Sequence, residues 1–177
     1  MIDINERTQK KETKEFISAC QFFEIFSIIG LLAFVAAALF LLWEAIFNAE
    51  RVSAAAETTV FSVITANICN IICCTGICIA LKFSASIFGK LKDGETPFRY
   101  DIGDKIRAAG ITLAATGAVV FVIKFTCNLL YSIDVITDNV PVGLNDSSLC
   151  LIGALLCIFS YVFNYGCKLQ QESDETL

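Results

Sequence analysis

The chain has 177 residues, of which 56% are apolar and 18% charged, with a net charge of −5 and no histidine. A charged share below the usual quarter or so argues against an ordinary soluble domain, and the negative balance leaves no basic face for direct contact with nucleic acid. The missing imidazole removes the commonest metal ligand and general base.

Residues 1–21 mix both signs of charge, and Phe16, Ile17, Cys20 and Phe23 fall near one face of a helix. This predicts an amphipathic lead-in. A cleaved signal peptide would have an apolar core of only about 7–15 residues. The run that follows, 22–46, is longer and is succeeded by three more, at 60–81, 108–133 and 149–165. The start therefore reads as a retained anchor. A helix needs about 20 apolar residues to cross a hydrocarbon core of about 30 Å, and every backbone polar group in lipid must be satisfied internally. No alternation of barrel type is present. The predicted fold class is all-α, an integral membrane four-helix bundle with an amphipathic cytoplasmic loop.

The first run closes at Trp43, a residue suited to the membrane–water interface. Glu44, Glu50 and Glu57 make the next loop acidic, and its alanine-rich stretch 53–57 is compatible with helix. The second run carries Asn67 and Asn70 on a stripe with Cys74 and Cys78. Ser62, Thr65, Cys69, Cys73 and Gly76 form a second stripe on the opposite side. Small residues permit close helix approach and amides hydrogen-bond across helices, which predicts a central helix packed on two faces.

Between the second and third runs lie Lys82, Lys90, Lys92, Arg99, Lys105 and Arg107. Phe83, Ile87 and Leu91 keep helical spacing, which suits an amphipathic helix on the lipid surface. Asp93–Gly94 and Pro97 stop it, and Asp101 or Asp104 is placed to cap the next helix. In the third run Gly103, Gly110 and Gly117 recur every seven residues, predicting a close-packing face with Ala114 and Ala118. Lys124 is the one charge well inside an apolar run. It lies about 24 Å along the helix from Ala108, near enough to the far boundary to snorkel. Pairing with Glu44 is a second structural option, and a transport or sensing role is the functional one.

The loop 132–148 holds Asp134, Asp138 and Asp146 without calcium-loop spacing. The fourth run is the shortest, and residues 166–177 form an acidic tail. Eleven of the thirteen Lys and Arg residues precede the first run, lie between the second and third, or follow the fourth. By the positive-inside rule both termini are expected in the cytoplasm of a plasma membrane.

The nine cysteines lie mostly within apolar runs and offer no matched external pair, so they read as small buried side chains. Cys69, Cys73, Cys74 and Cys78 split between two stripes, which prevents one chain from closing them on one metal. No phosphate-cradling or dinucleotide motif is present. No catalytic, cofactor or metal residue is assigned, and no enzyme is expected.

The segment Leu91-Lys92-Asp93-Gly94-Glu95-Thr96-Pro97-Phe98, the stretch Asp104-Lys105-Ile106-Arg107 with Gly110, and the ending from Phe163 through Gln170-Gln171-Glu172-Ser173-Asp174 to Leu177 carry a resemblance. Together they resemble a family of small four-span bacterial inner-membrane proteins classed as domain of unknown function 2975. The resemblance implies a bacterial plasma-membrane protein and a link to a small helix-turn-helix regulator, and it supplies no catalytic residue. The expected function is non-enzymatic, membrane-linked regulation or interaction. Pro97, Phe98, Gln171, Glu172 and Asp174 are the candidate contacts for a cytoplasmic protein, and the acidic tail could also clasp the basic loop. The alternative is a small transporter or channel subunit with Asn67, Asn70 and Lys124 lining a path in a homo-oligomer.

Overall fold

The computed structural model describes residues 2–56, 58–93, 100–137, 140 and 144–175, with side chains for all of these except 2–13, 56, 100, 144–146 and 174. Five helices follow in chain order: α1 (Ile2–Phe47), α2 (Ala49–Ala56), α3 (Val60–Lys92), α4 (Tyr100–Ser132) and α5 (Leu144–Glu175). No strand occurs among the described residues. Stretches 14–47, 60–92, 101–132 and 147–173 are long and apolar enough to cross a membrane. The chain is an all-α, multi-pass membrane protein.

The apolar runs form the middle of helices that continue beyond them. α3 has 33 residues, about 50 Å at 1.5 Å per residue, against a core of about 30 Å. The amphipathic stretch after Leu81 is thus the last three turns of α3, continuous with the span rather than a separate surface helix. The lead-in is likewise continuous with α1, and the alanine-rich stretch forms α2 as far as Ala56.

The helix ends follow local chemistry. Thr59 caps α3, its extended backbone placing Oγ1 3.3 Å from the Ser62 amide. At the other end Asp93 donates its amide to the Gly89 carbonyl, and α3 stops where the Asp-Gly pair predicts. Asp101 is one residue inside α4 and does not cap it; its carboxylate binds lysines instead. At the end of α4, Asp134 adopts φ 57°, the left-handed conformation that Asp tolerates better than most residues. Its amide bonds the Tyr131 carbonyl at 3.1 Å, and the Val135 amide bonds the Leu130 carbonyl at 3.0 Å. This is a Schellman-type stop with aspartate in the glycine position. Asp134 therefore turns the chain.

The four spans pack in chain order. Among the described residues α1 touches α2 and α3, α3 also touches α4, and α4 touches α5, while α1 and α5 do not meet. The second span has the expected central place. Cys78 on one face approaches the Leu31 carbonyl of α1 at 3.9 Å, and Gly76 on another meets Thr116 of α4. A methyl group at Gly76 would sit 2.3 Å from Thr116 Oγ1, so only glycine allows this approach.

The third span presents its seven-residue glycine repeat to α5, as the close-packing face requires. Gly110 lies against Gly153 and Cys157, Gly117 against Cys150, and Gly103 against Asn164. The fit is reciprocal, because a Cβ on Gly153 would stand 2.3 Å from the Ala114 amide nitrogen. Within the spans, Thr75, Thr112, Thr116 and Thr126 each return the hydroxyl to the carbonyl four residues earlier. These polar side chains are thereby satisfied without water.

Candidate functional site

Polar and charged contacts between helices concentrate at the basic end. Glu24 of α1 receives Lys92 of α3 at 3.0 Å. Lys90 of α3 pairs with Asp101 of α4, which also lies 3.6 Å from Lys105. Lys105 Nζ donates to Ser86 Oγ of α3 at 2.9 Å. Deeper in, Ser27 donates to Ser84 at 3.3 Å, and Phe23 stacks on Phe88 with centroids 5.3 Å apart. On the α4–α5 side Arg107 lies 5.3 Å above the Tyr161 ring, and buried Ser160 donates to the Gly103 carbonyl at 2.8 Å. Each junction between spans, α1–α3, α3–α4 and α4–α5, thus carries at least one polar or charged contact at one end of the molecule. The basic residues of this end also join neighbouring helices.

Several of these partners escaped sequence reading. In the sequence Glu24 is only a charge near the start of the first apolar run, and nothing local links it to Lys92, 68 residues away. Gly153, Ser160 and Cys167 do carry a signal: they repeat every seven residues on α5, matching the glycine repeat of α4, and all three are buried. Cys150, Cys157 and Asn164 form a parallel series.

The tail residues continue α5. Glu172 lies 3.8 Å from Lys168 one turn earlier, and Gln171 donates to Glu175 at 3.2 Å. Gln171 and Glu172 are exposed. Pro97 and Phe98 lie outside the described residues, as does the side chain of Asp174. Cys167 is only 4% exposed, so its thiol is a poor reporter of which side the tail occupies.

The three intramembrane polar residues occupy different environments. Asn67 is 7% exposed, and its Nδ2 has no hydrogen-bond partner among the described residues. Asn70, one turn on, is exposed, while Lys124 is half-buried on α4. The Lys124–Glu44 pair does not form, because Glu44 is on α1, which does not touch α4. None of the three lines the cavity of about 430 Å³ among α3, α4 and α5. That cavity is walled by apolar side chains such as Leu81, Phe88, Ile106, Leu113, Ile152 and Leu156. None of the nine cysteines is in a disulfide, and no group of three or more metal-ligating side chains occurs among the described residues.

Comparison with protein-family models, with curated proteins and with solved structures finds no match to this chain.

Proposed function

We propose that this is a non-enzymatic membrane protein of the bacterial plasma membrane that presents its basic end to the cytoplasm and binds a cytoplasmic protein there. The carrying observation is the set of ion pairs from Glu24 through Lys92 and from Lys90 through Asp101 to Lys105, which ties the middle of α1 to the end of α3 and the start of α4. A span needs none of these contacts to stay in lipid. Helix ends held beyond the apolar core give a partner a surface with a fixed shape, and a preordered surface loses less entropy on binding. The exposed last turns of α5, with Gln171 and Glu172, stand at the same end. The orientation rests on the charge bias, and the bacterial setting rests on the resemblance carried by the loop and tail residues.

Crosslinking in native membranes followed by affinity capture tests this reading. The intact chain is expected to retain a cytoplasmic protein that is lost on deletion of residues 171–177 or in Pro97→Ala. Unchanged capture in both variants would overturn it. So would a solute-flux phenotype abolished by Lys124→Ala and Asn70→Ala but untouched by the deletion.

A further inference from the structure

The open side of the helix bundle carries a feature that the proposed docking function does not use. The cavity of about 430 Å³ has α4 as its floor, with Ile106, Ala109 and Leu113, and α3 and α5 as its walls. Among the described residues α3 and α5 do not touch, and neither do α1 and α5. The cavity is therefore a groove open to lipid along one side. No charged side chain lines it, and its one hydroxyl, on Ser84, is taken up by Ser27 at 3.3 Å.

The groove starts at the basic end and stops near the middle of the membrane. Ile106 and Phe88, which stacks on Phe23, mark its start. Leu149 marks the other end; its neighbour Cys150 packs on Gly117, eleven residues along α4 from Ile106. On α3, Ile77 and Phe88 are likewise eleven residues apart, about 16 Å of helix. That is about half of a hydrocarbon core of about 30 Å. The groove has the depth of a single leaflet.

Two lysines stand at its basic end. Lys92 is four residues beyond Phe88 on α3, and Lys105 is four before Ala109 on α4. Each is thus one turn from a groove-lining residue, on the same side of its helix. Lys92 Nζ donates to Glu24 at 3.0 Å, and Lys105 Nζ donates to Ser86 at 2.9 Å. An ammonium has three N–H donors, so each lysine keeps donors for a further acceptor. The carboxylates beside them, Glu24 and Asp101, are already held by Lys92 and Lys90. A phosphate suits this place, because hydrogen bonds between charged partners are the strong ones. A quaternary ammonium would add a cation beside two lysines.

An empty groove would leave its apolar walls without the dispersion contacts of packed atoms. We propose that it holds one acyl chain of an anionic phospholipid from the leaflet at the basic end, with the phosphate at Lys92 and Lys105. The order of groups is that of the lipid. The glycerol lies beside Phe88 and Ile106, and the chain runs past Ala109 toward Ile152 and Leu149. The groove accepts an acyl chain of any lipid; the lysines select the headgroup.

The full-length protein is reconstituted in vesicles of equal phosphatidylglycerol and phosphatidylcholine. Retained lipid is measured by native mass spectrometry, and phosphatidylglycerol with a photoreactive acyl chain maps where the chain lies. The expected result is retention favouring phosphatidylglycerol about tenfold, equivalent to about 1.4 kcal/mol. Adducts should concentrate on residues 77–88 and 149–156. Lys92→Gln combined with Lys105→Gln should abolish the preference while leaving helical circular dichroism unchanged. Ala80→Phe, which fills the groove from α3, should remove the adducts. Equal retention of the two lipids, a preference that survives the double substitution, or adducts spread evenly over α1 would overturn the proposal. A dimer that retains no lipid would assign the groove to a second copy and overturn it as well.

Discussion

The two outer helix pairs are joined by different means. α4 and α5 meet through backbone: at Gly110, Gly117 and Gly153 an added methyl would lie under 3.0 Å from main-chain atoms of the other helix. α1 and α3 meet through side chains, with Ser27 on Ser84, Phe23 on Phe88 and Glu24 on Lys92. Even at Gly30, the small residue of that seam, an added methyl would meet only the Leu81 side chain, at 3.3 Å. In lipid there is no hydrophobic drive between helices, so dispersion contacts and interhelical hydrogen bonds must hold them. A backbone seam cannot yield to added volume, whereas a side-chain seam can change rotamer. The α4–α5 pair is therefore the rigid half, and the α1–α3 pair is the adjustable one.

Enlarging the glycines breaks this contrast most severely. Gly153→Leu should separate α4 from α5 and cost at least the 1–3 kcal/mol or so typical of overpacking. It would be seen as a large fall in thermal midpoint and loss of an α4–α5 crosslink. Gly30→Ala should be nearly silent in the same assays, because Leu81 can move; a comparable loss there would erase the distinction between the seams. Asn67→Leu is expected next in size, with the opposite sign. Its Nδ2 is buried without a partner among the described residues, and an unsatisfied buried donor costs about 1–3 kcal/mol. The thermal midpoint should rise; a fall would mean that the amide has a partner in the membrane. Glu24→Gln should give the smallest effect. The Glu24–Lys92 pair is partly exposed, so its contribution is screened by salt. The variant should lose stability at low ionic strength and match the parent at high ionic strength, by thermal unfolding in detergent.

How far the sequence reveals this molecule depends on the range of each interaction. The four spans are legible because a membrane demands uninterrupted apolar runs, and the glycine face of α4 is legible because its repeat lies within one helix. The two-faced packing of α3 follows in the same way from its two small-residue stripes. The lengths of the helices beyond the apolar runs were missed, because hydropathy falls at the membrane boundary while the backbone ladder continues. Asp101 looked like a cap because Asp before an apolar run usually is one, but two lysines compete for its carboxylate. The Lys124–Glu44 pairing failed because equal depth does not make two helices neighbours. At the proposed docking face Lys105 and Arg107 were visible as charge, but their partners Ser86 and Tyr161 follow from helix order.

In the proposed function the tied, basic end is the one presented to the cytoplasm. The most direct measurement places exposed thiols at the two ends, Ser173→Cys beyond the fourth span and Thr137→Cys after α4, and labels intact and permeabilised cells with a membrane-impermeant maleimide. Thr137→Cys is expected to react in intact cells, and Ser173→Cys only after permeabilisation. The reverse pattern, or strong labelling of both in intact cells, would contradict it.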